Sequence, residues 1–237
     1  MKRKPVIDVS EDTLQRLVNC TTKGLNIAEA DYFSSGMTFA NGIGLLNLNF
    51  IFAELEKAET DDFLVGRFKR GSFEFALIFD LPSKTLITLV SKANVERLLH
   101  RKNIKTFHYV DSLITKNNNF EGDRCQMSIF DIAEDVPKDD ERYNLCDKIL
   151  NAINFNNVDK YIVCEYEIVH KQFALKDAKC SLYSNNFIEL VTPLNLIKYL
   201  SPDYSNRGGT INENLLEEKE EIKNLDIKIK NGLKQIS

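Results

Sequence analysis

The sequence predicts an α+β fold: two antiparallel β meanders flanked by helices, followed by a C-terminal amphipathic helix. Three observations predict it. Apolar residues recur at helical spacing near the N-terminus, the period changes to two from Phe63, and the same change recurs around Lys160. The composition supports a packed interior: 43% hydrophobic and 28% charged residues over 237 positions are enough for one sizeable core or two small ones.

The elements follow in order. "VSEDTLQRLVN" offers Ser10 as an N-cap, acids in the first turn and Leu14, Leu17 and Val18 on one face, which predicts a first helix. "GIGLLNLNFIFAELEKAE" predicts a second, with Leu46, Phe50, Ile51 and Leu55 on its apolar face and Glu54 and Lys57 on the other. "FLVGRFKRGSFEFALIFD" sets Phe73, Phe75, Leu77 and Phe79 on one side of a strand, and "PSK" turns it into "TLITLVS", a three-stranded meander. "NVERLLHRK" reads as a short helix, "TFHYV" as a strand and "DSLITK" as a helical turn.

Residues 117–140 then form a polar loop, rich in Asn, Asp and Gly, of a length that is unusual inside a compact protein. It separates a first α+β lobe, 1–116, from a second, 141–205. The second lobe reads as the helix "DERYNLCDKILNAI", the strands "KYIVCEYEIVH", "QFALKDAKCSLY" and "NFIELV", with a turn near His170 and Lys171, and a short helix "PLNLIKYL" with Pro193 at its first position. After the linker "SPDYSNRGG", residues 206–237 carry the amphipathic helix. Leu215, Ile222, Ile229 and Ile236 recur every seven residues, but Glu218 and Gly232 interrupt the second seam, so it packs on its own chain or on a second copy through 211–236.

A formal charge of −4 provides no global attraction to a phosphate backbone. Nucleic-acid contact would fall to a local patch, for which "HRKNIK" supplies Arg101, Lys102 and Lys105. The five cysteines are odd in number and form no Cys-x-x-Cys pair, which argues against a disulfide framework and a zinc ribbon. No apolar stretch approaches bilayer length and no signal-like segment opens the chain, so a cytoplasmic protein is expected.

Within the polar loop, Gln126, Met127, Ser128, Ile129 and Phe130 form a compact apolar spur. This pentapeptide resembles the bacterial sliding-clamp binding motif, in which a glutamine precedes leucine-like anchors and a phenylalanine. The resemblance implies that Gln126 fills a small polar site, Met127 and Ile129 stand for leucines and Phe130 enters a deep apolar pocket. The competing reading is a staple that pins the loop to its own molecule. Over the whole chain, "RGSFEFALIFD", "FHYVDSL", "QMSIFD" and "LYSNNFIELVTPLNLIKYLSPDY" resemble, in order and spacing, a family of bacterial and phage proteins of unknown function.

Signals for catalysis are sparse. His100, His108 and His170 show no metal-ligand spacing, and "NGIG" at Asn41–Gly44 lacks the lysine and the preceding strand of a phosphate loop. Asp80 at a strand end and Glu165 and Glu167 on one face of another strand, with Asp177 and Lys179 alternating on the next, are the groups a metal-dependent nuclease would need to converge. The same alternation is what a solvent-facing strand gives. The expectation is therefore a non-enzymatic cytoplasmic binding protein, without cofactor or metal, that engages DNA-replication machinery such as the sliding clamp through residues 126–130. A nucleic-acid-acting enzyme or toxin using Asp80, Glu165 and Glu167, and a homo-oligomeric regulator, are the alternatives.

Overall fold

The computed structural model describes residues 4–36, 42–100, 107–120, 139–155, 157–169 and 173–200. The chain divides after Tyr199, and the architecture below is that of the first unit. The spur 126–130, the basic residues Arg101, Lys102 and Lys105, and the helix expected over 211–236 lie outside the described residues.

Helix α1 spans Glu11–Ser34 and starts where expected: Ser10 is extended and its hydroxyl accepts from the Thr13 amide. Helix α2 is Ile43–Lys57. Strands β1 (Phe63–Arg70), β2 (Phe73–Asp80) and β3 (Thr85–Ser91) form an antiparallel meander, and β4 (Lys160–Val169), β5 (Ala174–Ser181) and β6 (Leu194–Asn195) form another. Between them run α3 (Lys92–Leu99), α4 (Tyr109–Leu113), a 3-10 turn over Ile114–Asn119 and α5 (Asp139–Ile153). The sheet order is β1-β2-β3-β4-β5-β6, and β3 pairs with β4 in parallel. The two meanders are thus one six-stranded sheet, which answers whether the halves share a core.

Cross-strand partners define the two faces. Phe79, Leu86 and Tyr161 align on one face, and with Phe75, Leu77, Val90 and Val163 they join a cluster containing Val95 and Leu98 of α3, Val110 and Leu113 of α4, and Ile149 and Leu150 of α5. Helix α1 lies against the opposite face, where Thr13 reaches Asp80. Strands β2 from Phe75, β3 and the first part of β4 are buried on both sides. Their near-continuous apolar runs follow from cover on both faces.

A buried amide ties the helical cover to the sheet. Asn117 donates to the carbonyls of Tyr161 (2.8 Å) and Tyr183 (2.7 Å) and accepts from the Tyr161 amide (2.8 Å). It takes the place of a strand residue where β4 and the chain after β5 have stopped pairing with each other. Nearby, the Tyr161 hydroxyl meets Thr88 at 2.5 Å.

The packing of α2 differs from its hydropathy. Its buried residues are Asn47, Ile51, Glu54 and Leu55, while Leu45 is exposed. The cause is a close approach: a Cβ on Gly24 of α1 would stand 2.6 Å from the Ile51 Cα and N. That contact sets the rotation of α2 and carries Glu54, expected on its polar face, inward. There Lys23 and Lys57 each approach the carboxylate at 2.6 Å.

Three local expectations are corrected. "TFHYV" is not a strand, because His108 caps α4: its Nδ1 accepts from the Val110 amide (3.3 Å) and its own amide donates to Asp111 (2.6 Å). "NFIELV" forms only an isolated bridge, Tyr183 to Glu189, since the Ser184 hydroxyl accepts from the Asn186 and Ile188 amides and closes a turn. "PLNLIKYL" is not a helix with Pro193 at its start. Leu194 and Asn195 pair with Cys180 and Lys179 as the edge strand β6, and a 3-10 turn, Ile197–Tyr199, follows. A proline ahead of an edge strand forfeits no ladder bond.

Two predictions follow from these buried polar ties. Asn117→Ala leaves one amide and two carbonyls unpaired, at about 1–3 kcal/mol each, so chemical denaturation should show a loss of about 3 kcal/mol or more. The hydrogen-bonded ammonium groups of Lys23 and Lys57 hold the Glu54 carboxyl below its ordinary value of 4.5. A depressed carboxyl adds stability that is complete above that value and is lost as pH falls through the lower, folded one. Melting temperature should therefore drop on acidification below pH 4.5. Glu54→Gln should flatten that limb and cost on the order of 1 kcal/mol at neutral pH, the exposed lysines being screened.

Candidate functional site

The sheet register decides which of the expected carboxylates can meet. Asp80 aligns with Thr85 and, through it, with Lys160. Glu165 lies five residues further along β4, about 16 Å at about 3.3 Å per residue. An odd separation also points the two side chains to opposite faces. Asp80 faces α1, where its carboxylate accepts from the hydroxyls of Ser10 (2.9 Å), Thr13 (2.6 Å) and Ser83 and from the Ser83 amide (3.2 Å). Fully buried, it ties the entry of α1 to the β2–β3 turn. Asp8 pairs with Lys160 at the same end of the sheet.

Glu165 and Glu167 do share a face, and the register sets Lys179 opposite Glu165 and Asp177 opposite Glu167. The ladder is not the solvated strand face its alternation suggested. Glu165 is only 5% exposed. It accepts from the Tyr183 hydroxyl at 2.6 Å and meets Lys179 at 3.5 Å. Burial and this carboxylate push the Tyr183 hydroxyl well up from its ordinary value. Glu167 receives Lys176 at 2.6 Å and Lys92 at 3.0 Å, and both ammonium groups hold its carboxyl below the usual range. Each carboxylate is thus occupied by cationic or hydroxyl partners. Among the described residues, no group of three or more His, Cys, Asp or Glu is placed to hold a metal ion.

Beside Glu167 the structure forms a cavity of about 380 Å³ between the first turns of α2 and α3 and the end of β4. Sequence reasoning passed over it. Ser91 ends β3 and stands at the N-cap of α3 without a side-chain capping bond, so Lys92 enters the wall at the head of the helix. Gly42, with a φ of 91°, heads α2 and has no side chain with which to cap. Gly44 and Asn47 of α2 line the same space, and Tyr166 and Phe173 supply aromatic walls. Asn47 is 4% exposed, and its Oδ1 has no hydrogen-bond partner. In sequence its signal is faint: an asparagine in "LLNLNF" reads as a weak helix former.

The remaining candidates serve structure where they are described. His100 follows the last turn of α3 and His108 caps α4; His170 lies outside the described residues. Among the described residues, Cys20, Cys146, Cys164 and Cys180 are buried free thiols. Among the described residues, no helix is long and apolar enough to cross a membrane.

Asp80 gives the sharpest test of a structural carboxylate. Asp80→Ala removes the acceptor of four donors at the head of α1 and the β2–β3 turn, and should cost about 3 kcal/mol or more in chemical denaturation.

Comparison with curated proteins and with solved structures finds no match. A family model does match, over residues 7–237. On that near-complete coverage, the chain belongs to the family described as "Family of unknown function (DUF5986)".

Proposed function

We propose that this chain is a non-enzymatic binding protein of the cytoplasm, of phage or mobile-element origin, that engages the DNA-replication machinery. Its partner is the sliding clamp, met by the loop peptide Gln126, Met127, Ser128, Ile129 and Phe130. The observation that carries this reading is the pentapeptide itself: a glutamine to set the register and three apolar anchors at fixed spacing, the layout with which a short peptide fills a preformed groove. Met127 preserves leucine volume, and Ile129 asks the groove to accept a change of shape.

The described residues on either side of the segment support the same reading. Before it in the chain, Phe120 is buried beside the Asn117 clasp; after it, Arg142 of α5 donates to the Asp111 carbonyl (3.0 Å) and the Asn185 carbonyl (3.0 Å). The described residues that flank the segment are thereby held. Holding a recognition segment at two points lowers the entropy it loses on binding.

The test is binding of the intact protein to the host's sliding clamp, beside Gln126→Ala with Phe130→Ala, with thermal stability recorded for both. Loss of two anchors at about 2 kcal/mol or more should weaken binding by at least about thirtyfold, with the melting temperature unchanged. A wild type that does not bind, together with a variant that melts well below it, would make the spur a staple of its own fold and end this reading.

A further inference from the structure

Two of the buried thiols stand directly opposite each other in the sheet: Cys164 of β4 is in register with Cys180 of β5. We propose that this pair is an oxidation site, at which a hydroperoxide joins Cys164 and Cys180 in a cross-strand disulfide that staples β5 to β4.

The ladder fixes the geometry. Opposed residues of antiparallel strands alternate between hydrogen-bonded pairs and non-hydrogen-bonded pairs, and in the second kind the Cα atoms are about 4.5 Å apart with the side chains closer. The Leu196 amide donates to the Ala178 carbonyl at 2.9 Å, so Ala178 turns its backbone groups toward β6. Cys180, two residues on and in register with Leu194 of β6, does the same. It therefore faces Cys164 as a non-hydrogen-bonded pair. Disulfides span Cα separations of about 4.4–6.8 Å, so the bond forms here without moving the strands apart. Opposed residues also send their side chains to the same sheet face, and these two thiols hydrogen-bond to each other.

Burial sets the rate and the choice of oxidant. Both cysteines are fully buried, and the hydrogen bond to Cys180 together with burial pushes the Cys164 thiol well up from its ordinary value. In the closed ladder the pair is protonated and slow to react. Access comes from the margin of the sheet: the strand order ends on β6, and β6 is only Leu194–Asn195. So short a strand holds the outer side of β5 weakly, and brief local opening there exposes the pair to a small oxidant.

The chemistry balances with the peroxide alone. One thiolate attacks the O–O bond; its sulfur keeps one oxygen as a sulfenic acid, and the other oxygen leaves with a proton as water. The second thiolate attacks that sulfur, the S–S bond forms, the S–O bond breaks, and a second water departs. Two S–H bonds have become one S–S bond, and their two electrons have reduced hydrogen peroxide to water. A partner thiol already in contact favours this condensation over further oxidation of the sulfenic acid. Cys20 and Cys146 are placed differently: the first donates to the Glu54 carbonyl at 3.4 Å and the second is hydrogen-bonded with Thr115.

The test is treatment of the intact, folded protein with hydrogen peroxide, followed by alkylation of remaining thiols, digestion without reduction and mass spectrometry. A peptide pair joined through Cys164 and Cys180, lighter by two hydrogens than the separate peptides and released by dithiothreitol, is the expected result. Amide hydrogen exchange across β5 should slow by about tenfold or more in the oxidised protein. In Cys180→Ala the Cys164 sulfenic acid should persist long enough to be trapped by dimedone; the wild-type result decides the matter if that variant does not fold. Thiols that stay unchanged, that go on to sulfinic acid without joining, or that join only after the chain is unfolded in urea would overturn the proposal. So would a bond that leaves exchange in β5 as it was.

Discussion

Neighbouring strands that run parallel cannot be joined by a tight turn; the chain must leave one end of the sheet, cross a face and re-enter at the other. The β3–β4 ladder imposes that crossing here, and most of the molecule between Ser91 and Lys160 exists to make it. Helices α3, α4 and α5 are the crossing, and their apolar sides become the cover of one sheet face. The long polar segment stands in sequence between the 3-10 turn and α5. It joins two parts of one folded unit.

A crossover of several short elements has few hydrophobic residues per element and must be held by polar contacts as well. Asn117 does this by satisfying three backbone groups at the margin of the sheet. The Asp80 carboxylate acts likewise on the other face, gathering donors from α1 and from the β2–β3 turn. Glu54 joins α1 to α2 through Lys23. In each case a buried polar group is acceptable because its partners are complete. Asn47 and Ser112 break that pattern, with Asn47 Oδ1 and Ser112 Oγ buried and without a hydrogen-bond partner.

Much of this organisation was legible in the chain. Ser10 as a cap, the period-two run from Phe63, the "PSK" turn and the alternation of Glu165, Glu167, Asp177 and Lys179 all correspond to observed structure. The misreadings share a cause. "TFHYV", "NFIELV" and "PLNLIKYL" are short stretches whose local preferences were outweighed by single side chains: His108 and Asp111, Ser184, and the unpaired edge of β5. At the candidate site, the ladder was visible as spacing but its burial was not, since Glu165 is hidden by contacts such as that of Tyr183, eighteen residues away.

By itself the sequence determined what depends on near neighbours: helix caps, strand periodicity, the α+β class, and a peptide whose recognition value lies in five consecutive residues. Tertiary structure decided what depends on distant ones. It made the two meanders a single sheet, put Asp80 and Glu165 on opposite faces, and turned Asn47 and Glu54 inward when Gly24 let α1 and α2 close together. The physical reason is that burial and register are properties of pairs of segments. A residue's own type and spacing do not say which distant backbone will come within 3 Å of it.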